Sequence, residues 1–488
     1  MGIVIKQTVR NALSNYVGLI LGAFNLTFLY PRVFEGHQDY FGLIQLILGY
    51  AILVSTFGSL GVPSMFIKYF PRLEKMDQAK LISFSLLYPL PLLFLLGLVI
   101  LNFQTQIIPW LNSEVLFLQY WWVLVPLAIS HIYFEILGGI SQSYLQTQLP
   151  LFLKEVGRRL IATVLLLFFW IGWIDLGTFL NLYIACSFGL LFILWLRLYF
   201  KKQLDINISF GTLPLKQMMA FGGFLIVTSG ATLLVNKIDV LMVGHYIDLE
   251  SVGYYSVVVF MGASLNIPNK SLGNIMRPMM SKAFAENNLS KVAELYKASA
   301  LNLMLVGFLL FSLLLTNLED IFYLLPESYR EGQNIVWLIA TGQLINLSAG
   351  QNGVVLSFSK YYKFNLIAIL VLLVLTVGSN IILIPKMGLM GAAIATAISL
   401  SIFNLSKLIY IKIKLSLWPY EKRVFGLLIV FVVTFILGTY FNVFSHPIIE
   451  ILARSSVVTL VFLVLVYGFK ISPEFTNLIQ KKLKKYVA

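Results

Sequence analysis

The sequence is poor in charge and has almost no cysteine. Charged residues make up 11% of its 488 positions and hydrophobic residues 59%, whereas a soluble domain carries about 25% charged residues. The mean hydropathy is +0.87. A soluble fold could not bury this much apolar surface, so the sequence predicts a polytopic membrane protein.

Motifs for catalysis and for metal or nucleotide binding are also missing. The single cysteine, Cys186, excludes an internal disulfide and a cysteine-rich metal site. The four histidines are too scattered for a zinc-protease motif, and no GxxxxGK[ST] P-loop occurs. The stretches between hydrophobic runs are short, which leaves no room for a soluble catalytic domain. We therefore expect a protein that is not an enzyme and has no bound cofactor.

Fourteen hydrophobic runs follow one another along the chain, so we predict an all-α protein with 14 transmembrane helices. Most of the 35 lysines and arginines lie between alternate runs, as in loops that face the cytoplasm. Both termini are therefore predicted to be cytoplasmic. The same rule accounts for Lys154, Arg158 and Arg159 and places Lys407 in an inner loop. Because the basic residues are dispersed in this way, we expect no nucleic-acid partner.

Several landmarks recur 211 positions apart, among them Gly42 with Gly253 and Asn25 with Asn236. Six spans separate the matched elements, so both copies have the same orientation in the membrane. Parallel repeats of this kind occur in transporters, with the substrate site between the halves. We predict a six-helix lobe over 1–205, a second over 206–416, and two additional helices with a basic cytoplasmic tail over 417–488.

Three segments carry a resemblance to a known family. They are 40–45 (YFGLIQ), 239–257 (DVLMVGHYIDLESVGYYSV) and 380–396 (NIILIPKMGLMGAAIAT). They resemble the Wzx-type polysaccharide transporters, which are lipid-linked oligosaccharide flippases of the multidrug/oligosaccharidyl-lipid/polysaccharide (MOP) exporter superfamily. The first outer loop, 31–36, departs from the usual pattern of that family. Independently of the family, Pro385 is predicted to end the eleventh helix and Gly388 to permit a tight turn.

The resemblance implies a function. The protein would flip a polyprenyl-diphosphate-linked oligosaccharide across the bacterial inner membrane by alternating access, for cell-surface polysaccharide synthesis such as that of O-antigen. Expected partners are this substrate, membrane lipids and the polymerase or glycosyltransferase machinery, and the expected state is a monomer. Two alternatives stay open. One is a cation-coupled drug exporter of the same superfamily, and the other is a polytopic glycosyltransferase or polysaccharide polymerase.

Polar residues inside spans are the candidate substrate ligands, because a charge within a membrane usually faces a cavity or a partner. In the superfamily, the first, second, seventh and eighth spans are expected to line the central cavity. The cations there would pair with the diphosphate, and we expect Lys237 and Asp239 to satisfy part of each other's charge. The predicted substrate-binding residues are Arg10, Asn25, Asn236, Lys237, Lys270 and Arg277.

Ion coupling has two candidate sites. Asp239, Asn380 and Thr396 lie at similar predicted depths and carry hard oxygen ligands, and lipid II flippases resemble this pattern in having a cation site there. These residues therefore predict sodium coupling. His131 and Glu135 lie four apart on one helix face and predict either a proton-coupling pair or a buried structural pair.

Overall fold

The structure is a computed structural model that describes the backbone of residues 2–209 and 213–472. These residues are helical almost throughout and form no β-strand, so the predicted all-α class is confirmed. Contacts divide the chain into two compact units, Met1–Val257 and Val258–Ala488.

The first unit contains two π-helices, Asn25–Leu29 and Leu153–Gly157, each inside a longer helical run. Its α-helices are α1 (Gly2–Phe24), α2 (Tyr30–Val33), α3 (Gln38–Gly58), α4 (Val62–Tyr69), α5 (Lys75–Leu87), α6 (Pro89–Leu111), α7 (Val115–Tyr120), α8 (Leu124–Ser143), α9 (Gln148–Phe152), α10 (Arg158–Trp170), α11 (Leu176–Phe200), α12 (Leu215–Tyr246) and α13 (Leu249–Ala263), whose last turns belong to the second unit.

In the second unit, a 3₁₀ turn at Ser264–Asn266 separates α13 from the next helix. The α-helices that follow it are α14 (Ile267–Ala285), α15 (Leu289–Thr316), α16 (Leu318–Tyr323), α17 (Gln333–Ser348), α18 (Asn352–Phe358), α19 (Tyr362–Leu415), α20 (Arg423–Tyr440) and α21 (Pro447–Gly468).

Ten helical segments within the described residues are long and apolar enough to cross a membrane, so the chain is a multi-pass membrane protein. One of these segments is α19, which has 54 residues. A single crossing needs about 20 residues, so α19 is long enough for two. It is interrupted at Gly388, where φ is 58° and ψ is −138°.

Glycine adopts a positive φ without steric strain, so the turn predicted at Gly388 is confirmed. The helix before the turn was predicted to end at Pro385, but it continues past the proline to the break at Gly388. Proline lacks an N–H group and its ring crowds the carbonyl of the preceding turn. In α19 these effects do not end the helix at Pro385. The helical conformation is interrupted at Gly388 instead.

The first unit packs α4, α8 and α11 around a shared apolar core. Phe66, Ile132 and Leu194 are each 0% exposed within it. Helix α12 packs against α3 and α4, and the backbones approach closely at Gly61. A Cβ atom there would lie 2.8 Å from the Cα of Gly222. This packing explains why contacts group α12 with the first unit.

A buried ion cluster connects α21 to the rest of the second unit. Arg454 is 7% exposed and Glu450 is 1% exposed. Arg454 Nη2 donates to Glu450 Oε1 at 2.8 Å, and Nη1 donates to Asp320 Oδ2 at 2.6 Å. The remaining bonds of the guanidinium go to the backbone oxygens of Thr316 and Phe441 at 2.7 and 2.9 Å. The protein itself therefore accepts hydrogen bonds from four of the five N–H donors of Arg454.

The predicted lobes and the observed units are defined differently. The lobes follow an internal repeat, with a boundary between residues 205 and 206, whereas the units follow contacts, with a boundary after Val257. The division into 1–205, 206–416 and 417–488 therefore stays a prediction. Of the lysines in the predicted basic tail, Lys470 is described, whereas Lys481, Lys482, Lys484 and Lys485 lie outside the described residues.

Candidate functional site

The first unit contains a polar cavity of about 350 Å³ between α3, α4, α8, α12 and the start of α10. Apolar side chains of α12, including Leu225 and Leu233, form one wall. Hydroxyl groups and charged groups form the others. The polar residues that line the cavity are Ser55, Thr56, Ser59, Ser64, His131, Glu135, Lys154 and Arg158.

A π-helix brings the two cations into this cavity. Lys154 lies within the π-helix Leu153–Gly157, and Arg158 begins α10 immediately after it. A π-helix is rare and is frequently found at functional sites. The Lys154 ammonium lies 2.7 Å from Glu135 Oε1, and the Arg158 guanidinium lies 4.7 Å from the centre of the Phe134 ring. Arg158 forms no hydrogen bond with any residue that the structure describes, so its donors are available to a ligand.

His131 and Glu135 both line the cavity, as their spacing predicts, but they do not pair with each other. The carboxylate of Glu135 pairs with Lys154 instead. His131 is only 5% exposed. The prediction of a buried structural pair is therefore wrong, because Lys154 reaches Glu135 from the π-helix. A role of either residue in proton coupling stays a prediction.

The hydroxyl groups of α3 and of Ser59, the residue that follows it, add hydrogen-bond acceptors to the cavity. Ser55 and Thr56 donate to the carbonyl oxygen of Ile52 at 2.9 Å, and Ser59 donates to that of Thr56 at 3.0 Å. Each oxygen keeps lone pairs. The cavity therefore combines two cations, a carboxylate and several hydroxyl groups. Such groups can bind a molecule that carries both a phosphate and sugar hydroxyls.

Sequence reasoning assigned Lys154 and Arg158 to the cytoplasmic charge pattern and missed their common position in a cavity. A signal was present, because the fifth hydrophobic run over 160–174 is too short for a span unless it extends back past both cations. Their spacing of four residues also places them on one helix face. The π-helix that turns them toward α8 has no sequence signature of its own.

Lys237 is not among the residues that line the cavity; it lies one helical turn beyond Leu233, which does line it. It forms no ion pair with any described residue, so the predicted pairing with Asp239 is wrong. Side chains two apart on a helix do not face each other. Asp239 is 8% exposed. Asn236 is exposed, and its Nδ2 donates to the carbonyl oxygen of Thr232 at 2.6 Å.

The other predicted substrate residues of the first unit lie on or just after α1. Arg10 is exposed and donates to Gln148 Oε1 at 3.2 Å. Asn25 is buried, and its Nδ2 donates to the carbonyl oxygen of Arg159 at 3.0 Å. The Oδ1 atom of Asn25 accepts a hydrogen bond from Thr163 at 2.9 Å. Asn25 therefore connects the π-helix Asn25–Leu29 to α10, and neither residue lines the polar cavity.

In the second unit, Lys270 and Arg277 are exposed on α14. They lie seven residues apart, hence on the same helix face about 10 Å apart along the axis. Asn380, which is fully buried, and Thr396, which is half-buried, lie on either side of the break in α19. Asp239 belongs to the first unit, so a cation site formed by all three residues stays a prediction.

The interior of the second unit contains a chain of carboxamides that sequence reasoning missed. Asn352 Nδ2 donates to Asn404 Oδ1 at 3.0 Å, and Asn404 Nδ2 donates to Asn346 Oδ1 at 3.1 Å. Asn346 Nδ2 in turn donates to Asn266 Oδ1 at 3.1 Å. The chain connects α18, α19 and α17 with the 3₁₀ turn before α14.

Lys407 lies next to this network. It was predicted to occupy an inner loop, but it is 4% exposed inside α19. Its ammonium lies 3.7 Å from the centre of the Phe403 ring. Among the residues that the structure describes, no carboxylate pairs with it. The hydrophobic pattern could not reveal this burial, because one lysine near the end of a long run looks like a loop residue.

Comparisons with known proteins bear on the fold. No protein-family model matches the sequence, and no curated protein sequence is similar to it. Among solved structures, the lipid II flippase MurJ in an inward closed conformation matches with a TM-score of 0.71 at 16% identity. The match covers 97% of this chain and 100% of that chain. The chain therefore shares the fold of this flippase.

A multidrug resistance MATE family transporter of the MOP superfamily is also similar. Its inward-facing conformation gives a TM-score of 0.64 at 12% identity, over 84% of this chain and 98% of that chain. An outward-facing conformation gives 0.58 at 15% identity, with coverage of 84% and 96%. The MOP fold predicted through the sequence resemblance is therefore confirmed.

Proposed function

We propose that this protein is a flippase that moves a polyprenyl-diphosphate-linked oligosaccharide across the bacterial inner membrane. The observation that carries the proposal is the cavity in which Lys154 and Arg158 face the hydroxyl groups of α3. Arg158 supplies donors that form no hydrogen bond with any described residue, and a guanidinium binds phosphate oxygens in a bidentate manner. The MOP fold supports the proposal, since both flippases and exporters have it.

The chemistry of the cavity matches the two polar parts of such a substrate. The cations would bind the diphosphate, while Ser55, Ser59 and Glu135 would hydrogen-bond to the sugar hydroxyls. The polyprenyl tail stays in the bilayer, so the protein does not have to enclose it. The two lobes would then alternate between inward and outward access. This cycle would serve cell-surface polysaccharide synthesis, and the protein would belong to the family of Wzx-type transporters.

The proposed topology has fourteen crossings with both termini in the cytoplasm. Ten segments already qualify by length and composition, and α19 counts among them only once. The break at Gly388 divides α19 into two crossings, and the runs around α10, α14 and α17 supply the remaining three. Reporter fusions near residues 110, 248, 325 and 448 should lie outside, and fusions near 75, 205, 361 and 417 should lie inside.

A drug exporter is less well supported than a flippase. The MATE structures leave 16% of this chain uncovered, whereas MurJ leaves 3%. The uncovered share is close in size to the predicted C-terminal segment 417–488. The pair α20 and α21 therefore favours the flippase branch. The alternative of a glycosyltransferase or polymerase receives no support from the similar structures, which are transporters and flippases.

The test reconstitutes the purified full chain into vesicles with a fluorescent polyprenyl-diphosphate disaccharide and follows the loss of fluorescence to an external quencher. Arg158→Gln should slow flipping at least about ten-fold, since a hydrogen bond to a charged group contributes about 1.5–3 kcal/mol. Arg72→Gln, on an exposed 3₁₀ turn, removes the same charge elsewhere and should leave the rate unchanged. Wild-type flipping by Arg158→Gln would reject this cavity as the substrate site.

The ion gradient that drives the transport cycle is tested in a separate experiment. We propose that a sodium ion bound by Asp239, Asn380 and Thr396 drives the cycle, with protonation at His131 or Glu135 as the alternative. Sodium should raise the thermal unfolding temperature of the purified protein, and the effect should disappear in Asp239→Asn. Equal stabilisation in both proteins would reject the sodium site and favour a proton gradient.

A further inference from the structure

A second cavity, separate from the polar one, opens on the surface of α1. It is a crevice of about 380 Å³ between α1, α9, the π-helix Leu153–Gly157 and the end of α11. We call it the α1 crevice. None of its lining residues lines the polar cavity, so the two can be altered independently.

Two arginines line the crevice, and no carboxylate of the described chain neutralises them. Arg10 and Arg197 both line it and are exposed. Neither arginine forms an ion pair with any carboxylate of the described chain. The nearby carboxylate of Glu155 is engaged by Arg159, with their atoms 3.3 Å apart. Within the part of the chain that the structure describes, Arg10 donates one hydrogen bond, to Gln148. The two guanidinium groups therefore keep most of their donors for a ligand.

The rest of the crevice is apolar and faces outward. Leu13 is 62% exposed, Phe152 is 45% exposed and Val17 is 38% exposed, and all three line it. The apolar segment of α1 begins at Leu13, three residues after Arg10, and that of α11 ends at Phe200, three residues after Arg197. Both arginines therefore lie where an apolar span meets the membrane surface.

We propose that the α1 crevice binds an anionic phospholipid of the surrounding bilayer. The lipid phosphate would lie between Arg10 and Arg197, and one acyl chain would follow Leu13, Val17 and Phe152 along α1. Basic pockets between transmembrane helices bind anionic head groups in this manner. A free phosphate ion would use the arginines alone and would leave the apolar wall exposed, so the combination of charge and apolar wall favours the lipid.

The experiment captures the lipid directly. Benzoylphenylalanine replaces Phe152 in the full chain, which is reconstituted into vesicles that contain radiolabelled dioleoyl-phosphatidylglycerol or dioleoyl-phosphatidylcholine. Illumination should crosslink phosphatidylglycerol in clear preference to phosphatidylcholine. The double variant Arg10→Gln/Arg197→Gln should reduce affinity for phosphatidylglycerol about five-fold for each arginine removed.

Two matched variants complete the test. Arg72→Gln/Lys75→Gln removes two exposed charges of the first unit outside the crevice and should preserve capture. Arg10→Lys/Arg197→Lys keeps both charges and should retain most of it. Equal capture of the two lipids, or unchanged capture by the double Gln variant, would overturn the proposal. Displacement of phosphatidylglycerol by equimolar polyprenyl diphosphate would assign the crevice to the transported lipid instead, and would also overturn it.

Discussion

Two arginines, one in each unit, lie inside apolar helical packing and differ in how completely the protein satisfies them. Arg454 is 7% exposed and bonds to two carboxylates and two backbone oxygens. Arg158 lines a cavity together with Glu135, and its guanidinium lies beside the Phe134 ring, but it forms no hydrogen bond with a described residue. A cation such as Arg454, with four of its five N–H donors bonded to the protein, holds helices together. A cation with unused donors beside a cavity is available to a ligand.

The predicted repeat sharpens this difference. Glu135 of the first unit and Asn346 of the second are 211 positions apart, as are Lys154 and Asn365. The first lobe has a charged pair where the second has carboxamides, and Asn346 belongs to the hydrogen-bonded chain inside the second unit. If both copies descend from one unit, only one of them kept charges around a cavity.

The largest expected change in stability comes from the buried ion cluster around Arg454. Arg454→Leu leaves the buried carboxylate of Glu450 without its cation, which should cost about 3–5 kcal/mol of unfolding free energy. Arg158→Leu removes no hydrogen bond to a described residue and should leave the unfolding temperature nearly unchanged. Thermal unfolding of both variants in detergent, followed by tryptophan fluorescence, checks the contrast. Equal losses would mean that Arg158 is a structural cation too.

The carboxamide chain gives the next largest effect. Asn404 is 1% exposed, and Asn404→Asp replaces its donor group with a charged acceptor facing Asn346. We expect a loss of about 2–3 kcal/mol, from the lost hydrogen bonds and an unpaired buried charge. Asn334→Asp, an exposed position on α17, is the matched control and should unfold like the wild type. A stable Asn404→Asp would show that this interior accepts charge as readily as the first unit.

Replacing Lys407 should increase the free energy of unfolding, whereas the substitutions at Arg454 and Asn404 should decrease it. Lys407 is buried beside Phe403 without a carboxylate partner in the described chain. Replacing a buried ion by a well-packed hydrophobic residue is neutral or stabilising, so Lys407→Met should raise the free energy of unfolding by about 1 kcal/mol. Chemical denaturation in detergent measures the change. A loss as large as that of Arg454→Leu would reveal a structural ionic role.

The smallest effect concerns Glu114, in the loop between α6 and α7. Burial raises the pKa of its carboxyl and the nearby Asp248 adds to this, while the Leu249 N–H donates a hydrogen bond that opposes it. A raised pKa means that the folded state holds the proton more tightly than the unfolded state. Stability therefore falls as pH rises from the ordinary glutamate pKa through the raised one.

Glu114→Gln removes this titration. The variant should unfold at a higher temperature than the wild type at about pH 7, and the difference should shrink toward about pH 4. Unfolding temperatures across this range check the sign. A difference that grows as the pH falls would show that the Leu249 hydrogen bond outweighs burial.

Composition and hydrophobic periodicity by themselves determined that this chain is an all-helical, multi-pass membrane protein. The motif at 380–396 predicted the turn at Gly388, and the resemblance carried by 40–45, 239–257 and 380–396 predicted the fold. These features depend on local properties, namely apolar run length and backbone freedom, which a sequence displays directly. Only the tertiary structure decided which charges meet. The π-helix places Lys154 and Arg158 in the same cavity as Glu135. Helix packing buries Lys407 and brings the asparagines of the carboxamide chain together. The reason is physical: a charge in a helix is solvated, paired or stranded according to the side chains on neighbouring helices, and those neighbours lie far away in the sequence.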